Sequence, residues 1–330
     1  MPAREKAQSA DELLAGVSAY LSDDLSQVNQ LIDTALQSQI GLTNQITHHL
    51  QGSSGKRLRP MLTLLASRLG GEQVEQARFA AALVELLHVA SLLHDDVIDH
   101  ATVRRGQLTV NVRWGNEAAI LVADYIYSHA FTTALDYLPP ALLSVLTRTA
   151  ADMCDGEMFQ IEKRDQLLTE QDYYFIIQRK TARLFSACTR LGASLASLSD
   201  AAVGALERYG FQLGCAFQIT DDVLDLVGDR SRLGKDIGTD VGCGKQTLPF
   251  IYALGKASAE DRAFLIAALS DATPPALVAE RVDRYGGIAY ALEAAYREAE
   301  QARRCLDEIP ERPAGAFLRD LTELVVNRTR

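Results

Sequence analysis

Apolar residues recur at spacings of three and four along most of the chain, the period of a helix that buries one face. Leu13, Leu14, Val17, Leu21, Leu25, Val28, Leu31, Ile32 and Leu36 form the first such series, behind Ser9-Ala-Asp-Glu12, which has the form of a capping box. The same period predicts helices over residues 58–69, 74–100, 116–137, 141–162, 170–197, 200–227, 246–255, 259–270, 276–283, 287–307 and 314–327. No stretch shows sustained alternation between hairpin turns, so strands are not expected. Phe79–Leu93 and Tyr209–Val227 are rich in Ala and Leu on most faces, which suits helices at the centre of a large bundle. The expectation is an all-α fold with residues 1–330 as a single domain and 1–10 as a frayed tail.

Composition narrows the function classes. Hydrophobic residues make up 48% of the chain, enough for a large core, and the net charge is −10 without any dense basic block, which argues against nucleic acid as a partner. The longest apolar run, Ala80–Leu93, falls short of the ~20 residues of a membrane span and contains Glu85 and His88, so no integral membrane segment is expected. Cysteines stand at 154, 188, 215, 243 and 305, odd in number and without a CxxC pair, and no secretory leader is recognisable. These features suit a reduced, cytoplasmic protein.

The chemistry begins where an acidic pattern occurs twice. Leu92-Leu-His-Asp95-Asp96-Val-Ile-Asp99 ends one apolar helix, and Gln218-Ile-Thr-Asp221-Asp222-Val-Leu-Asp225 ends another. In each, the first and last aspartates lie one turn apart on one helix face. Carboxylates crowded there repel one another, oppose the helix dipole and border leucine and valine. One copy would read equally well as a solvated helix end paired with arginines; two copies, each followed by basic residues, favour a bound cation. Oxygen-only donors select a hard ion such as Mg²⁺, with Mn²⁺ as a substitute, whose remaining positions go to water and phosphate oxygens. Lys56, Arg59, Arg104, Arg105, Lys180, Lys235 and Lys245 flank the two motifs and would meet phosphate oxygens outside the metal shell.

Gly55-Lys-Arg-Leu-Arg-Pro60, Asp95-Asp-Val-Ile-Asp99 with Arg104-Arg-Gly106, Gly156-Glu-Met-Phe-Gln160, Lys180-Thr181, Phe217 through Asp225 and Gly234-Lys235 follow one another in an order that resembles the trans (E)-polyprenyl diphosphate synthases, or polyprenyl synthetases. The resemblance runs from about Gly55 to Val326 and is strongest to long-chain members such as octaprenyl diphosphate synthase. It implies a large helical bundle around a deep central cavity, a homodimer, and Mg²⁺ held by Asp95, Asp99, Asp221 and Asp225, with Asp96 and Asp222 in support. It implies further that Lys56, Arg59, His88 and Arg105 hold isopentenyl diphosphate. Arg104, Lys180, Thr181, Gln218, Lys235 and Lys245 would then serve the allylic diphosphate, expected to be farnesyl diphosphate. His88 precedes Asp95 by seven residues, so helical spacing alone puts it on the same face. Asp236, next to Lys235, departs from the usual pattern.

The implied reaction is ionisation of the allylic diphosphate and attack by the isopentenyl double bond, with no side-chain nucleophile. Repetition would give a long-chain polyprenyl diphosphate, octaprenyl-like, for isoprenoid quinone side chains. Ala90 and Ser91, just before the first motif, are small where short-chain relatives commonly carry an aromatic, and Tyr127 or Phe131 on a neighbouring helix would form the floor of the product tunnel. Competing readings are a farnesyl or geranylgeranyl diphosphate synthase, a class I terpene cyclase, and a non-catalytic subunit of a heteromeric synthase. A cyclase normally replaces the second aspartate motif by an Asn/Ser/Glu triad, and non-catalytic subunits generally lack an aspartate motif, whereas both motifs are intact here.

Overall fold

In a computed structural model, residues 10–52, 55–71, 75–227, 239–270 and 273–327 are described, and most of them are helical. The early helices are α1 (Ala10–Tyr20), α2 (Ser22–Ala35), α3 (Gly41–Gln51), α4 (Leu58–Arg68) and α5 (Glu75–Ile98). After a two-residue antiparallel pair, β1 (Val103–Arg104) and β2 (Gln107–Leu108), come α6 (Val110–Trp114), α7 (Asn116–Tyr137), α8 (Pro140–Glu162), α9 (Glu170–Ile177), a π-helical turn (Gln178–Ala182) and α10 (Arg183–Leu195). The chain continues through α11 (Asp200–Val227), α12 (Thr239–Gly242), α13 (Leu248–Lys256), α14 (Ala259–Ala268), α15 (Pro275–Arg284), α16 (Gly287–Cys305) and α17 (Pro313–Asn327).

The centre is built from α4, α5, α10 and α11. α11 packs on α10 and α16, α10 on α4, and α5 on both α4 and α7. Close approach depends on glycine at two points: a Cβ on Gly192 of α10 would lie 2.1 Å from the Thr63 carbonyl oxygen of α4, and one on Gly210 of α11 would lie 2.5 Å from the Phe185 carbonyl oxygen. α5 has the length and composition to cross a membrane, but 61% of its most apolar stretch is buried inside the bundle, where the hydrocarbon around it is protein. A second, smaller apolar cluster joins α13, α14 and α15 through Phe250, Leu265, Val278 and Val282.

Four features depart from the expected elements. The first series of apolar residues is two helices rather than one, because the chain breaks at Leu21. The break puts Asp24 in the first turn of α2, favourable for an acid, where this buried carboxylate meets both Arg68 of α4 and Arg78 of α5. α3 carries no apolar series, since only Ile46 and Thr47 of it are buried, and periodicity could not reveal it. The 170–197 segment is interrupted by the π-helical turn. The short β pair is closed by Arg105 and Gly106, both at positive φ (52° and 76°), which is the two-residue hairpin geometry that an Arg-Gly step permits. The capping box at Ser9 lies outside the described residues.

Because the α10–α4 contact leaves no room for a methyl group, Gly192→Ala should destabilise the fold by about 1–3 kcal/mol through overpacking. The check is a lower urea midpoint at unchanged slope.

Candidate active site

Two stripes of half-open residues face the interior of the bundle. On α5 they are His88, Ser91 and Asp95, continued by Asp99 in the turn just after it, and on α11 Gln218 and Asp221. His88 and Asp95 retain accessible surface although burial dominates their titration, which places them in a recess rather than on the outer surface.

The first acidic motif divides by helix face. Asp95 and Asp99 face the recess, whereas Asp96 is 5% exposed and accepts a bond from Arg104 Nε at 2.7 Å. The hairpin at Arg105-Gly106 turns Arg104 back onto this acid. Burial raises the Asp96 pKa against the pull of Arg104. Burial also raises Asp95, which Lys180 opposes and the charges of Glu157 and Asp99 reinforce, leaving it at about 6. Lys245 donates to Asp99 Oδ2 at 2.6 Å. Burial works against the charge of Lys245, but Asp99 and Asp240 outweigh it and hold its pKa above the ordinary value.

The second motif divides differently, with only its first aspartate on the recess face. Asp221 is half-buried on the recess face and its charge acts on Arg59. Asp222 is buried, accepting from Tyr173 OH at 2.6 Å and from Gln218 Nε2 at 2.9 Å; burial, with the charge of Asp240, raises its pKa. Asp225, 1% exposed, accepts the Asp240 amide at 3.1 Å and so anchors the start of α12, the segment that brings Lys245 across to Asp99. Among the described residues no three His, Cys, Asp or Glu side chains converge on one point, so the six carboxylates do not form a closed cage. They form two acidic walls with lysines reaching in.

Lys180 and Thr181 ride on the π-helical turn, a feature common at functional sites because the extra residue re-aims side chains. Lys180 pairs with Glu157 and donates to Gln160 Oε1 at 2.9 Å, both on α8, while Thr181 Oγ1 donates to Gln218 Oε1 at 2.8 Å on α11. Gly156 makes room, since a Cβ there would lie 2.9 Å from Lys180 Cγ.

Next to the acids lies a basic pocket. Arg59 stands over the Phe185 ring at 5.0 Å, and its Nε is buried without a hydrogen-bond partner among the described residues, an arrangement that suits an incoming anion. Burial lowers the Arg59 pKa, though not far enough to discharge a guanidinium. His88 is pushed well below its usual value by burial and by Arg59, Arg105, Arg104 and Arg57, so its imidazole is neutral. Arg105 fits against Gly55, where a Cβ would lie 2.7 Å from its guanidinium. Lys56 is exposed in the loop before α4. Ala90 is fully buried in the packing of α5, and the half-buried Ser91 donates to the His88 carbonyl at 2.8 Å. On α7, Tyr127 stacks on Phe131 at 6.2 Å and on His94 at 6.0 Å.

Thus the sequence-expected residues Arg59, His88, Asp95, Asp99, Arg104, Lys180, Thr181, Gln218, Asp221 and Lys245 come together from α4, α5, the hairpin, the π turn, α11 and the segment after α12. Lys235, with Asp236, lies outside the described residues. Sequence reasoning passed over Tyr173, which fixes Asp222, and Glu157, which pairs with Lys180. Tyr173 belongs to no motif, whereas the Gly156-Glu-Met-Phe-Gln160 motif contained Glu157 without assigning it a partner. The donors of the two acidic walls are oxygen alone, as a hard divalent cation requires, and the raised pKa of Asp95 records first its burial and then the charges of Glu157 and Asp99, which a bound cation would offset.

The model of the family described as Polyprenyl synthetase matches residues 41–283. The chain is 35% identical over 318 residues to "Heptaprenyl diphosphate synthase component 2" of Geobacillus stearothermophilus, covering 96% of this chain and 99% of that protein. It is 34% identical over 321 residues to the octaprenyl diphosphate synthase of Escherichia coli, with the same coverage. The crystal structure of a Caulobacter crescentus polyprenyl synthase complexed with calcium and isoprenyl diphosphate superposes with a TM-score of 0.92 at 33% identity, covering 99% of this chain and all of that one. Relatives of similar identity are named for products from geranylgeranyl to nonaprenyl diphosphate. With a family match over most of its length and relatives that it covers almost end to end, the chain belongs to the polyprenyl synthetase family of prenyltransferases.

Proposed function

We propose that this chain is a Mg²⁺-dependent synthase that condenses an allylic diphosphate, farnesyl diphosphate being the expected primer, with successive isopentenyl diphosphates to a long-chain, octaprenyl-like product for isoprenoid quinone side chains. The observation that carries this reading is the adjoining of two aspartate-bearing helix faces and a pocket of Arg59, Arg105 and neutral His88, close enough for Asp221 to act on Arg59.

Asp95, Asp99 and Asp221 are the proposed metal carboxylates, with Mn²⁺ expected to substitute, while Asp225, expected from the sequence to join them, is buried against the Asp240 amide and supports the wall from behind. The bound metal would neutralise charge developing on the departing diphosphate. Lys180, Thr181, Gln218, Lys235 and Lys245 hold the allylic diphosphate in this reading. Arg104 also serves it and is kept in register by Asp96, while Asp222, locked by Tyr173, fixes Gln218. Lys56, Arg59, His88 and Arg105 hold isopentenyl diphosphate so that its double bond faces the carbon that ionises. The proton lost after bond formation goes to the diphosphate product, since the only neutral imidazole among these residues is spent on binding. The apolar faces of α5 and α11 keep water from the carbocation.

The product tail would run from Asp95 past Ser91 toward Tyr127 and Phe131. Ser91 offers no bulk there, which supports a long product. The aromatic stack on α7 favours a second reading, a farnesyl or geranylgeranyl diphosphate synthase, if it closes the path early. A single domain and a cytoplasmic location remain part of the proposal, as does a homodimer. The exposed apolar side chains of Ile120 and Leu121 on α7 and Met158 on α8 support a covering subunit.

Asp95→Ala and Asp221→Ala should each lower turnover by about a thousandfold or more while the circular dichroism spectrum stays helical. Near-normal turnover in either would contradict the metal clamp. Treatment with excess EDTA should abolish activity and Mg²⁺ or Mn²⁺ should restore it, whereas activity surviving the chelator would rule out an oxygen-bound cation in the reaction. With farnesyl diphosphate, isopentenyl diphosphate and Mg²⁺, the purified chain should give linear products well beyond geranylgeranyl length, and Ser91→Phe should shorten them to farnesyl and geranylgeranyl, whereas Ala90, buried in the core, does not line that path. Chromatography of the dephosphorylated products decides this. Wild-type products stopping at geranylgeranyl would establish the second reading, and cyclic hydrocarbons would reject both.

A further inference from the structure

Behind the basic pocket stands a carboxylate that the proposed reaction does not use. Glu85 of α5 is 4% exposed and lies one turn before His88. Its Oε1 accepts from Arg57 Nη1 at 2.8 Å, and Arg57 Nε donates to Asn29 Oδ1 of α2 at 3.2 Å. The Glu85 charge also acts on Arg59, Arg105 and the buried Cys188.

Arg57 occupies a hinge in the binding loop. It is the N-cap of α4 at φ 55°, a conformation that a side chain other than glycine holds only when its surroundings enforce it. Its backbone joins Lys56 to the helix that carries Arg59. A cleft of about 520 Å³, lined in part by Asn29, Gly55, Lys56 and Arg57, opens on the outer side of this loop. The two side-chain anchors of Arg57 tie the loop to α2 and α5 beside that cleft.

An acid beside an anion pocket would, by charge alone, weaken the binding of a diphosphate. Its presence there is explained if the geometry it imposes outweighs that repulsion. We propose that Glu85 is a positioning residue for isopentenyl diphosphate: by fixing Arg57 it sets the backbone from which Lys56 and Arg59 reach the substrate. This rests on the assignment of Lys56, Arg59, His88 and Arg105 to that substrate.

The test is steady-state kinetics on the full-length enzyme with each substrate varied in turn, together with calorimetric titration of isopentenyl diphosphate. Glu85→Gln removes the charge; Glu85→Asp keeps the charge but shortens the reach to Arg57; Arg57→Met removes the partner. All three should raise KM for isopentenyl diphosphate about tenfold or more, with kcat and the allylic KM within about twofold of wild type. The Arg57→Met/Glu85→Gln double variant should be no worse than either single one, because the two act as one unit. An unchanged or lower KM in Glu85→Gln, or wild-type behaviour in Glu85→Asp, would overturn the proposal in favour of a charge effect. Should Glu85→Gln fail to fold, Glu85→Asp and Arg57→Met decide it alone. Arg59→Met separates this from the underlying assignment. A raised isopentenyl KM there beside unaffected Glu85 variants rejects only the positioning role, while an unchanged KM in Arg59→Met rejects the assignment of the pocket and this proposal with it.

Discussion

Charge held away from bulk water is the constraint on which this structure turns. Carboxylates and guanidinium groups inside an apolar bundle persist only if each meets an opposite charge or several hydrogen bonds, since desolvation of an unpaired ion costs several kcal/mol. The bundle meets this demand by division. Asp96, Asp222 and Asp225 are given protein partners in Arg104, Tyr173 with Gln218, and the Asp240 amide. Asp95 and Asp99 are left facing the recess with lysines as partial compensation, and Asp221 faces Arg59. The same division recurs among the cations, where Arg57 is satisfied by Glu85 and Asn29 while the Nε of Arg59 is left without a partner among the described residues.

Backbone geometry carries out that division. The hairpin at Arg105-Gly106 sends two consecutive arginines to different targets, Arg104 to Asp96 and Arg105 to the face of Gly55. The π turn lets Lys180 reach α8 while its neighbour Thr181 reaches α11, which consecutive residues of an ordinary helix, 100° apart, would do less readily. Glycines at 156, 192 and 210 bring the helices close enough for these short polar contacts to form. The fold thus holds the charged groups near the productive arrangement before any substrate enters, so little reorganisation is left for the reaction.

The sequence by itself determined the helices and the acidic faces. Apolar residues every three or four positions place most helix boundaries within a few residues, because burial of one face is a local pattern. The four-residue interval from Asp95 to Asp99 fixes their common face for the same reason, as does the seven-residue interval from His88 to Asp95, whereas Asp225 is buried against the Asp240 amide and does not share the exposure of Asp221. The break at Leu21, by contrast, answers to Arg68 and Arg78, far along the chain, and α3 has too little buried surface to leave a periodic trace. Only the tertiary structure decided which cation meets which acid: that Lys245 reaches Asp99, that Tyr173 locks Asp222, and that Glu85 braces Arg57 rather than merely interrupting an apolar run. Such pairings join residues dozens of positions apart, and their free energy depends on burial and distance, which no local pattern of residues encodes.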